Sequence, residues 1–503
     1  MSEHSCKKRR NYNDRSVQLQ AMKSQQRWPF LGVISLGLFM IGADNSILYT
    51  ALPVLRSQLH TTEVEGLWII NSYSLVLAGL LLGTGTLGDK IGHRRMFEIG
   101  ISIFGLASLA CSFAHTPLAL IAARAALGVG AATMMPATLA LLRITFPSVR
   151  ERNIAIGIWG SVATLGAALG PVIGGFLIQH YYWGSVFLIN IPVTIIAFIG
   201  TLFIAPPNAA DPSRHWDFIS SFWAMVSMMG LVLAIKEVAH RDLPVLIGAL
   251  AAIALGALLF NQRQRTLADP LLTFDVFRNR VFTAGVLAAV LAMFILAGTE
   301  LMTTQRFQLA EGFTPFQAGL LTGAVALAAF PSSILGGAFL HAIGFLPLIS
   351  GGFLLMTLGT SIAVGSARAD TFPLFIIGLL LIGFGAGLTM SVSSTAIIGS
   401  APTRRSGMAS AMEEVSYEVG TLLSVAIVGS LFSFFYTRSA PKAIGQNFEQ
   451  GLSHPTLADA ARNAIDTSYL SSLIIIAVIA GAACATTAYL LRDNPKETQF
   501  AHE

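Results

Sequence analysis

Residues 166–175 read Gly166-Ala-Ala-Leu-Gly170-Pro171-Val-Ile-Gly174-Gly175 and lie in the middle of a long apolar run. Such a run must be helical to cross a membrane, because lipid offers no hydrogen-bond partner to an exposed peptide group. Small residues allow two helix backbones to approach closely, and a proline is tolerated where neighbouring helices satisfy the freed carbonyl. The stretch predicts a membrane helix that is closely packed, either as a specific motif or as a general small-residue packing face.

The composition of the chain is that of a membrane protein. Of its 503 residues 54% are hydrophobic and 11% are charged, and the mean hydropathy is +0.68, whereas soluble domains carry about 25% charged residues. A bilayer is spanned by about 20 mostly apolar residues. We predict fourteen spans, at roughly 29–55, 65–87, 96–115, 117–142, 153–179, 184–205, 216–239, 243–261, 281–306, 315–341, 344–366, 372–400, 405–436 and 467–491.

The distribution of Lys and Arg predicts the orientation in the membrane. An even number of spans places both termini on one side. If that side is the cytoplasm, the inner segments hold 22 of the 31 Lys and Arg residues and the outer segments hold eight, as the positive-inside rule requires. We therefore attribute the net charge of +5 to orientation and to contact with anionic lipid, not to nucleic-acid binding.

The amino-terminal tail and the cysteines carry little further signal. The first 27 residues are basic and polar and contain no apolar h-region, so we expect no cleavable signal peptide. The tail is interpreted as a segment that touches the inner leaflet rather than as a targeting signal. Cys6 is predicted to be cytoplasmic, and Cys111 and Cys484 lie within spans, so no disulfide framework is implied.

Two half-chains resemble each other. Residues 128–132 read Gly-Val-Gly-Ala-Ala and residues 383–387 read Gly-Phe-Gly-Ala-Gly, and the pattern of Gly85–Gly92 recurs weakly at Gly337–Gly344. Parallel repeats of this kind enclose a substrate cavity near the midplane. We predict a basic cytoplasmic tail 1–28, a six-helix bundle 29–205, two additional helices 206–261, a cytoplasmic linker 262–280, a second six-helix bundle 281–491 with a long periplasmic loop 437–466, and a cytoplasmic tail 492–503.

Four motifs in order along the chain resemble those of a known family. They are Asp44-Asn-Ser46-Ile-Leu-Tyr49-Thr-Ala-Leu-Pro53 in the first span, Gly85-Thr-Leu-Gly-Asp89-Lys-Ile-Gly92-His-Arg94-Arg95 after the second, Arg124 to Ala132 in the fourth, and Gly166 to Gly175 in the fifth. The last matches G-x-x-x-G-P-x-x-G-G. The chain resembles the fourteen-span drug:proton antiporters of the major facilitator superfamily, and most of all the methyl-viologen-resistance, or quaternary ammonium, exporters of Gram-negative bacteria. It departs from the family pattern in having Ser46 for Thr, Tyr49 for Asn and Leu127 for Gln.

The resemblance implies a fold and a function. The fold is an all-α polytopic membrane protein of major facilitator type, with two six-helix bundles and two extra central helices. The function is proton-coupled export of lipophilic cations from the cytoplasm across the bacterial inner membrane. The expected substrates are methyl viologen, quaternary ammonium biocides, acridine dyes and chlorhexidine. We expect a monomer that is driven by the proton motive force and needs no cofactor or metal.

Asp44 and Arg124 are ionisable groups at bilayer depth, and such groups need a functional or pairing reason. Asp44 is expected near the midplane, where it could bind protons and cationic substrate or serve as the structural partner of Arg124. Both roles are compatible. The family's arginine is implicated in proton coupling, and the alternative for Arg124 is a fixed buried ion pair.

The thirteenth span contributes Glu413, Glu414 and Glu418. Neighbouring buried carboxylates do not ionise together easily, so we expect at least one of them to hold a proton near neutral pH. Because Tyr417 follows Glu413 by one helical turn, we expect Glu413 to face the cavity and Glu414 to face a neighbouring helix. Glu300 in the ninth span is either a snorkelling interfacial charge or a substrate or proton site.

Aromatic side chains can bind flat or quaternary cations through cation–π contacts, and Tyr49, Trp68, Tyr73 and Tyr417 are the candidates, together with Phe39 and Trp159. Two motifs are assigned to conformational change rather than to binding. In the inner-loop motif, the resemblance implies that Asp89, Arg94 and Arg95, with Gly85 and Gly92, latch the two halves in the outward-open state; the alternative is topology determination by basic residues. The second motif is Gly166, Gly170, Pro171, Gly174 and Gly175.

Three functions remain open. No soluble catalytic domain and no phosphate-binding G-x-x-x-x-G-K-[ST] motif is present, which argues against an enzyme or an ATP-driven pump. The first function is proton-driven export of organic cations. The second is export of an endogenous metabolite, such as an amino acid or a peptide, and the third is a membrane scaffold that does not transport. The acids at bilayer depth favour cations.

Overall fold

A computed structural model describes residues 24–212, 216–240, 242–267, 270–272, 274–369, 371–400, 406–444 and 448–492. Over these residues the protein is helical and contains no strand. Fourteen helices are long and apolar enough to cross a membrane, which confirms the predicted number. The basic residues 1–23, the tail from 493 onward and the Arg404–Arg405 pair lie outside the described residues.

The membrane helices follow the chain in an alternating up-and-down order. The helices of the first half are α1 Ser24–Leu59, α2 Glu63–Ile91, α3 His93–Ser112, α4 Pro117–Thr145, α5 Val149–His180, α6 Ser185–Leu188 and α7 Asn190–Ile204; the short α6 leads into α7 and the two form one span. The central pair is α8 Phe218–His240 and α9 Leu243–Thr266. The second half has α10 Arg280–Leu309, α11 Pro315–Ile343, α12 Phe345–Ala369, α13 Phe372–Gly399, α14 Ser406–Ser439, the short α15 Phe448–Leu452 and α16 Ala458–Leu491.

Two helical bundles face each other across a central interface. Helices α1–α7 form one bundle and α10–α16 the other, and they meet where α5 packs on α11, α2 on α14 and α1 on α10. The turn at Gly92, between α2 and α3, and the turn at Gly344, between α11 and α12, both adopt positive φ angles, 93° and 90°. Glycine adopts this conformation without steric cost. The two turns lie at equivalent positions of the sequence repeat.

The glycine-rich motif of α5 packs on two partners at once. A Cβ atom at Gly166 or Gly170 would clash with the α1 backbone at Phe39 or Ala43. On another face, Gly175 lies against Pro315 at the start of α11, and Pro171 lies against Gly319 one turn further on. The motif therefore joins α5 to its own bundle and also to the opposite bundle.

The segment 437–466 differs from the predicted long loop. Helix α14 continues to Ser439 and α16 begins at Ala458, so helix occupies both ends of the segment. Within the remainder, Phe448 is buried against Tyr436, with ring centroids 4.5 Å apart, and Arg56 of α1 lies over its ring. The predicted spans end at 436 and resume at 467 because the ends of the two helices are polar and extend beyond the apolar segments, although the sequence from Thr456 to Ala464 is compatible with helix.

Candidate transport cavity between the two bundles

A cavity of about 1940 Å³ lies between the two bundles. It opens at the end of the molecule where α1 begins, which we call the basic end because Arg94, Arg143 and Arg263 lie there. At the opposite end the bundles are in contact through α5 and α11, and Gln308 of α10 donates a hydrogen bond to the Thr50 carbonyl of α1 at 2.9 Å. The cavity is thus accessible from one end and closed at the other.

One wall of the cavity carries four glutamates, all from the second bundle. Glu413, Glu414 and Glu418 lie on α14, and Glu300 lies on α10. At about 1.5 Å per residue, Glu413 is about 10 Å from the start of α14, Glu418 about 18 Å, and Glu300 about 14 Å from the closed end of α10. The acids therefore form a series from the mouth to the floor. Glu300 is 7% exposed and faces the cavity, so it is not an interfacial snorkelling charge.

Glu413 and Glu414 both line the cavity, so the expected division into one cavity residue and one helix-facing residue is wrong. The Tyr417 hydroxyl donates a hydrogen bond to Glu413 Oε1 at 3.1 Å, and Glu413 also interacts with Ser394 of α13. The carboxylate of Glu414 interacts electrostatically with those of Glu413 and Glu418. Of the two adjacent acids, Glu413 is held by neighbouring side chains and Glu414 is the more accessible from the cavity.

Several buried polar atoms of the cavity wall have no hydrogen-bond partner among the described residues. They include the Tyr49 hydroxyl, Glu418 Oε2, Asn45 Oδ1 and Ser410 Oγ. Tyr49 lies within electrostatic range of both Glu300 and Glu418. Buried polar groups are almost always satisfied, so these four atoms leave unused hydrogen-bonding capacity on the cavity wall.

Asp44 and Arg124 form a buried ion pair behind the cavity wall. Arg124 is fully buried and donates to Asp44 Oδ2 and, at 3.2 Å, to the Ile69 carbonyl. Asn190 donates to Asp44 Oδ1 at 3.5 Å, and the Tyr73 ring covers the guanidinium at 4.5 Å. Neither Asp44 nor Arg124 lines the cavity in this conformation. Asp44 is therefore the ion-pair partner of Arg124 in this conformation. Direct contact between Asp44 and a substrate would require a rearrangement.

The ion pair is electrostatically linked to the acid wall through Glu418. Glu418 lies close enough to Ser74 of α2 and to Arg124 to interact with both. Arg124 belongs to the first bundle and Glu418 to the second. Charge in the cavity can therefore influence the Asp44–Arg124 pair across the interface between the bundles.

The aromatic candidates divide into two groups. Tyr49, Tyr417 and Trp159 line the cavity, whereas Trp68, Tyr73 and Phe39 do not. Trp68 instead stacks on Lys236 of α8, whose ammonium lies 4.5 Å from the ring centroid. Lys236 is 3% exposed and also donates to the Val64 carbonyl at 3.3 Å. The sequence analysis did not single out Lys236 because α8 has no counterpart in the repeat. The signal that could have identified it is the presence of a lysine within an apolar span.

The inner-loop motif packs on its own bundle. Arg94 donates to the Leu202 carbonyl at 3.1 Å and to the Ala205 carbonyl at 3.3 Å, at the end of α7. The backbone nitrogen of Arg95 donates to Asn208 at 3.2 Å. Asp89 pairs with His93 at 3.1 Å and lies at the cavity mouth. All these contacts lie within the first bundle, so they show no latch between halves in this state.

Two glycines of the same motif behave differently from each other. Gly85 also lies at the mouth, and a Cβ there would meet no atom of another described element within 4 Å, so no close helix packing requires a glycine at this position. Gly92, by contrast, is required by its positive φ and by its contact with Asn208.

Two pseudo-equivalent bundles of membrane-spanning helices around an acid-lined cavity that opens at one end define a polytopic membrane transporter. The family profile described as Major Facilitator Superfamily matches residues 34–313 and 304–502, and the chain belongs to this superfamily. It is a multi-pass transporter of small molecules and not an enzyme.

Relatives support the same placement. The chain is 36% identical over 419 residues to the methyl viologen resistance protein SmvA of Salmonella typhimurium, covering 82% of this chain and 84% of that protein. It is 34% identical over 494 residues to the multidrug efflux pump LfrA of Mycolicibacterium smegmatis, covering 92% and 96%. Its fold is similar to that of an inward-facing bacterial homologue of the lysosomal transporter Spinster, with a TM-score of 0.63, 16% identity and coverage of 93% and 98%.

Proposed function

We propose that the protein is a proton-coupled exporter of lipophilic organic cations that works by alternating access. The observation that carries this proposal is the wall of four glutamates. The basic side chains among the described cavity residues are His93 and Arg143, both at the mouth. A cavity with several acids at depth and cations only at its rim favours positively charged cargo. The names of the related methyl viologen resistance and multidrug efflux proteins point in the same direction.

The orientation follows from the charge distribution of the loops. The basic end carries most of the Lys and Arg residues, so it is assigned to the cytoplasm together with both termini. The structure then represents an inward-open conformation of a bacterial inner-membrane protein that can act as a monomer. Cargo reaches the acid wall from the cytoplasmic side, and the contacts between α5 and α11 must separate for its release outside.

Proton exchange follows from the crowding of the acids. Glu413 and Glu414 are adjacent in a low-dielectric wall, where two negative charges repel strongly. In the inward-open state, an arriving cation replaces a proton, which leaves through the open mouth. In the outward-open state, protons from the outside neutralise the acids and release the cation. A dication requires two anionic groups. Glu413 and Glu414 together supply the second negative charge when the pair loses its proton.

Glu418 connects this exchange with the conformational change. Protonation of Glu418 removes a negative charge near Arg124 and leaves Asp44 as the acid paired with that guanidinium. When Glu418 ionises, Arg124 experiences acids from both bundles. We expect this competition to change the free-energy difference between the inward-open and outward-open states.

An exported amino acid or peptide fits the cavity less well. Its carboxylate would need a positive group at the depth of the glutamates, and the cavity-lining Arg143 and His93 lie at the mouth. If neither cation is transported in the experiment that follows, export of a metabolite and the scaffold role remain as the alternatives.

The experiment uses purified protein in liposomes with an imposed pH gradient. Transport of methyl viologen and of a quaternary ammonium dye is measured together with proton flux from a pH-sensitive dye in the lumen. We expect cation efflux to be coupled to opposite proton movement and to stop when a protonophore is added. Replacement of Glu414 by Gln should reduce both fluxes, whereas Glu151→Gln, at a surface ion pair with Arg27, should change neither. Cation flux without proton flux would refute coupling, and no flux of either cation would refute the assigned cargo.

A further inference from the structure

Glu300 is the outermost of the four cavity glutamates, because it lies on α10 only about 14 Å from the closed end of that helix. We propose that protons reach Glu300 from the outside along a line of polar residues between α10 and α16, within the second bundle and separate from the route of the cargo. This inference rests on the proposed function and adds the path of the protons to it.

Contacts between α10 and α16 fix the register of the two helices. Gly298 of α10 lies against Ile476 of α16, and Arg306 Nε donates to Asp466 Oδ1 at 2.7 Å. The helices are therefore antiparallel neighbours, and residues farther toward the outside on α10 face residues earlier on α16. Three pairs of polar residues follow from this register, and together they form the polar line: Glu300 with Ser472, Thr303 with Tyr469, and Arg306 with Asp466.

The inner hydroxyls of the polar line have unused hydrogen-bonding capacity. Thr303, Tyr469 and Ser472 are at most 1% exposed. Tyr469 lies close enough to Thr303 to interact with it, yet none of the three hydroxyls completes a hydrogen bond among the described residues. By contrast, Thr304 and Ser468 donate to the carbonyl four residues earlier, at 2.8 and 2.6 Å, a local bond that satisfies a buried hydroxyl. Hydroxyls that served only to join two helices would bond across the interface, so these three are available to water.

Proton transfer along the polar line needs no chemical change in it. A hydroxyl accepts one proton and releases its own, so one proton enters from the outside, another reaches the Glu300 carboxylate, and every hydroxyl is restored. Successive pairs are about 4.5 Å apart along the helix axis, a step that one bridging water covers. Protonation of Glu300 neutralises the floor of the cavity and releases a cation held there, so the polar line supplies protons while the conformational link stays with Glu418.

Few titratable groups face Glu300 from the helices packed against the middle of α10. Tyr49 of α1 lies within electrostatic range of both Glu300 and Glu418 of α14. Helix α13 contains no titratable residue, and α16 contributes Tyr469. Tyr469 is thus the titratable group of the polar line between Glu300 and the outer ion pair.

Arg306 closes the outer end of the polar line in this conformation. Its guanidinium binds two partly exposed carboxylates, Asp466 and, at 2.8 Å, Glu311, and lies 5.1 Å from the centroid of the Tyr469 ring. A fixed guanidinium is an electrostatic barrier to protons. The inward-open state requires this barrier, because a continuous path from the outside to a cavity open to the cytoplasm would leak protons. The polar line therefore conducts when a conformational change moves Arg306 away from Tyr469, and it serves Glu300 while departing cargo occupies the outer opening of the cavity.

Transport with and without net proton movement tests the polar line. In liposomes, methyl viologen flux driven by a pH gradient is compared with exchange of labelled for unlabelled methyl viologen at equal pH on both sides. We expect Tyr469→Phe to leave the exchange unchanged. It should lower the gradient-driven rate by about tenfold, less than the hundredfold typical of a positioned proton donor, because water can replace the hydroxyl.

Tyr436→Phe is the matched control for this experiment. The Tyr436 hydroxyl is equally buried and has no partner among the described residues, but it lies on α14 beside Phe448 and not on the polar line. The control should match the parent in both modes of transport. Equal losses of Tyr469→Phe in both modes, or no loss in either, would overturn the proposed path.

A measurement without cargo tests the Arg306 barrier. In liposomes with a pH gradient, a clamped membrane potential and no cationic substrate, Arg306→Gln should raise the proton leak severalfold, and the added Tyr469→Phe replacement should remove most of the increase. No increase, or a leak that does not depend on the Tyr469 hydroxyl, would refute the path. If Arg306→Gln does not fold, Arg306→Lys takes its place with a smaller leak, because an ammonium lacks the planar fork that binds both carboxylates. If the parent carried neither cation, the proposed function would fail while the leak measurement still decided the proton path.

Discussion

Replacement of Asp44 by Asn tests whether the ion pair is structural, functional or both. Arg124 is fully buried, remains charged in any protein environment, and has one guanidinium nitrogen, Nη2, without a hydrogen-bond partner among the described residues. Removal of one partner from a buried ion pair costs about 3–5 kcal/mol, because the remaining charge is left uncompensated. The Ile69 carbonyl and the Tyr73 ring remain in place. We therefore expect a loss near the lower limit, about 3 kcal/mol.

The assay is a double-variant cycle on the purified protein. The free energy of unfolding is measured by denaturant titration in detergent micelles for Asp44→Asn, Arg124→Gln and the double variant. The double variant leaves no charge at either position of the pair, so it should regain much of the free energy of unfolding. We expect a coupling free energy of about 1–3 kcal/mol between the two sites. Transport measured in parallel should be lost in the double variant even though stability returns, because Glu418 then has no charged Arg124 to interact with across the interface between the bundles.

Two results would refute this reasoning. An Asp44→Asn protein that is as stable as the parent would show that the pair does not compensate a buried charge. A double variant that transports cations at the parental rate would show that the pair has a structural role alone.

Three further predictions follow from the same geometry. Gly166→Ala should abolish transport because its Cβ would meet the α1 backbone, whereas Gly160→Ala should be tolerated because no described atom lies within 4 Å of that position; equal activity of the two would contradict the packing role. Glu414→Gln should impair dication transport more than monocation transport, and Glu413→Gln should be milder because its amide can still accept from Tyr417; flux measured for both cations across the neutral pH range decides. Asp89→Asn should lower turnover with little change in cation affinity, and weaker binding at normal turnover would place Asp89 in the binding site instead.

The number and order of the helices could be predicted from sequence because the signal is local. Each span is an apolar segment longer than the bilayer requires, and all fourteen have a corresponding helix. The pairing of Asp44 with Arg124 was also predictable, since each buried charge needs an opposite one. The repeat signal at Gly92 and Gly344 corresponds to two turns with the same positive φ, a conformation that glycine adopts readily.

The direction in which a side chain points could not be predicted. Helical periodicity places Glu413 and Glu414 about 100° apart, but the cavity is wide enough for α14 to present both. Asp44 is near the middle of α1, yet the rotation of that helix turns it toward Arg124 and away from the cavity. Rotation is set by packing against other helices, and the glycine contacts of α5 with α1 are such a constraint.

The two halves of the molecule have diverged in chemistry while keeping a common fold. Away from the mouth, the first bundle holds Asp44 and Arg124 as a closed buried pair, whereas the glutamates of the second bundle line the cavity. Glu418 is the member of the acid wall that lies close to Arg124, so it is the point at which a proton or cation in one bundle alters the electrostatics of the other. A transporter that must exchange cargo for protons needs such a link, because binding can shift a conformational equilibrium only through a difference in interaction free energy between its states. Glu418→Gln should therefore uncouple proton flux from cation flux more than Glu300→Gln does, since Glu300 lies on α10, away from the ion pair.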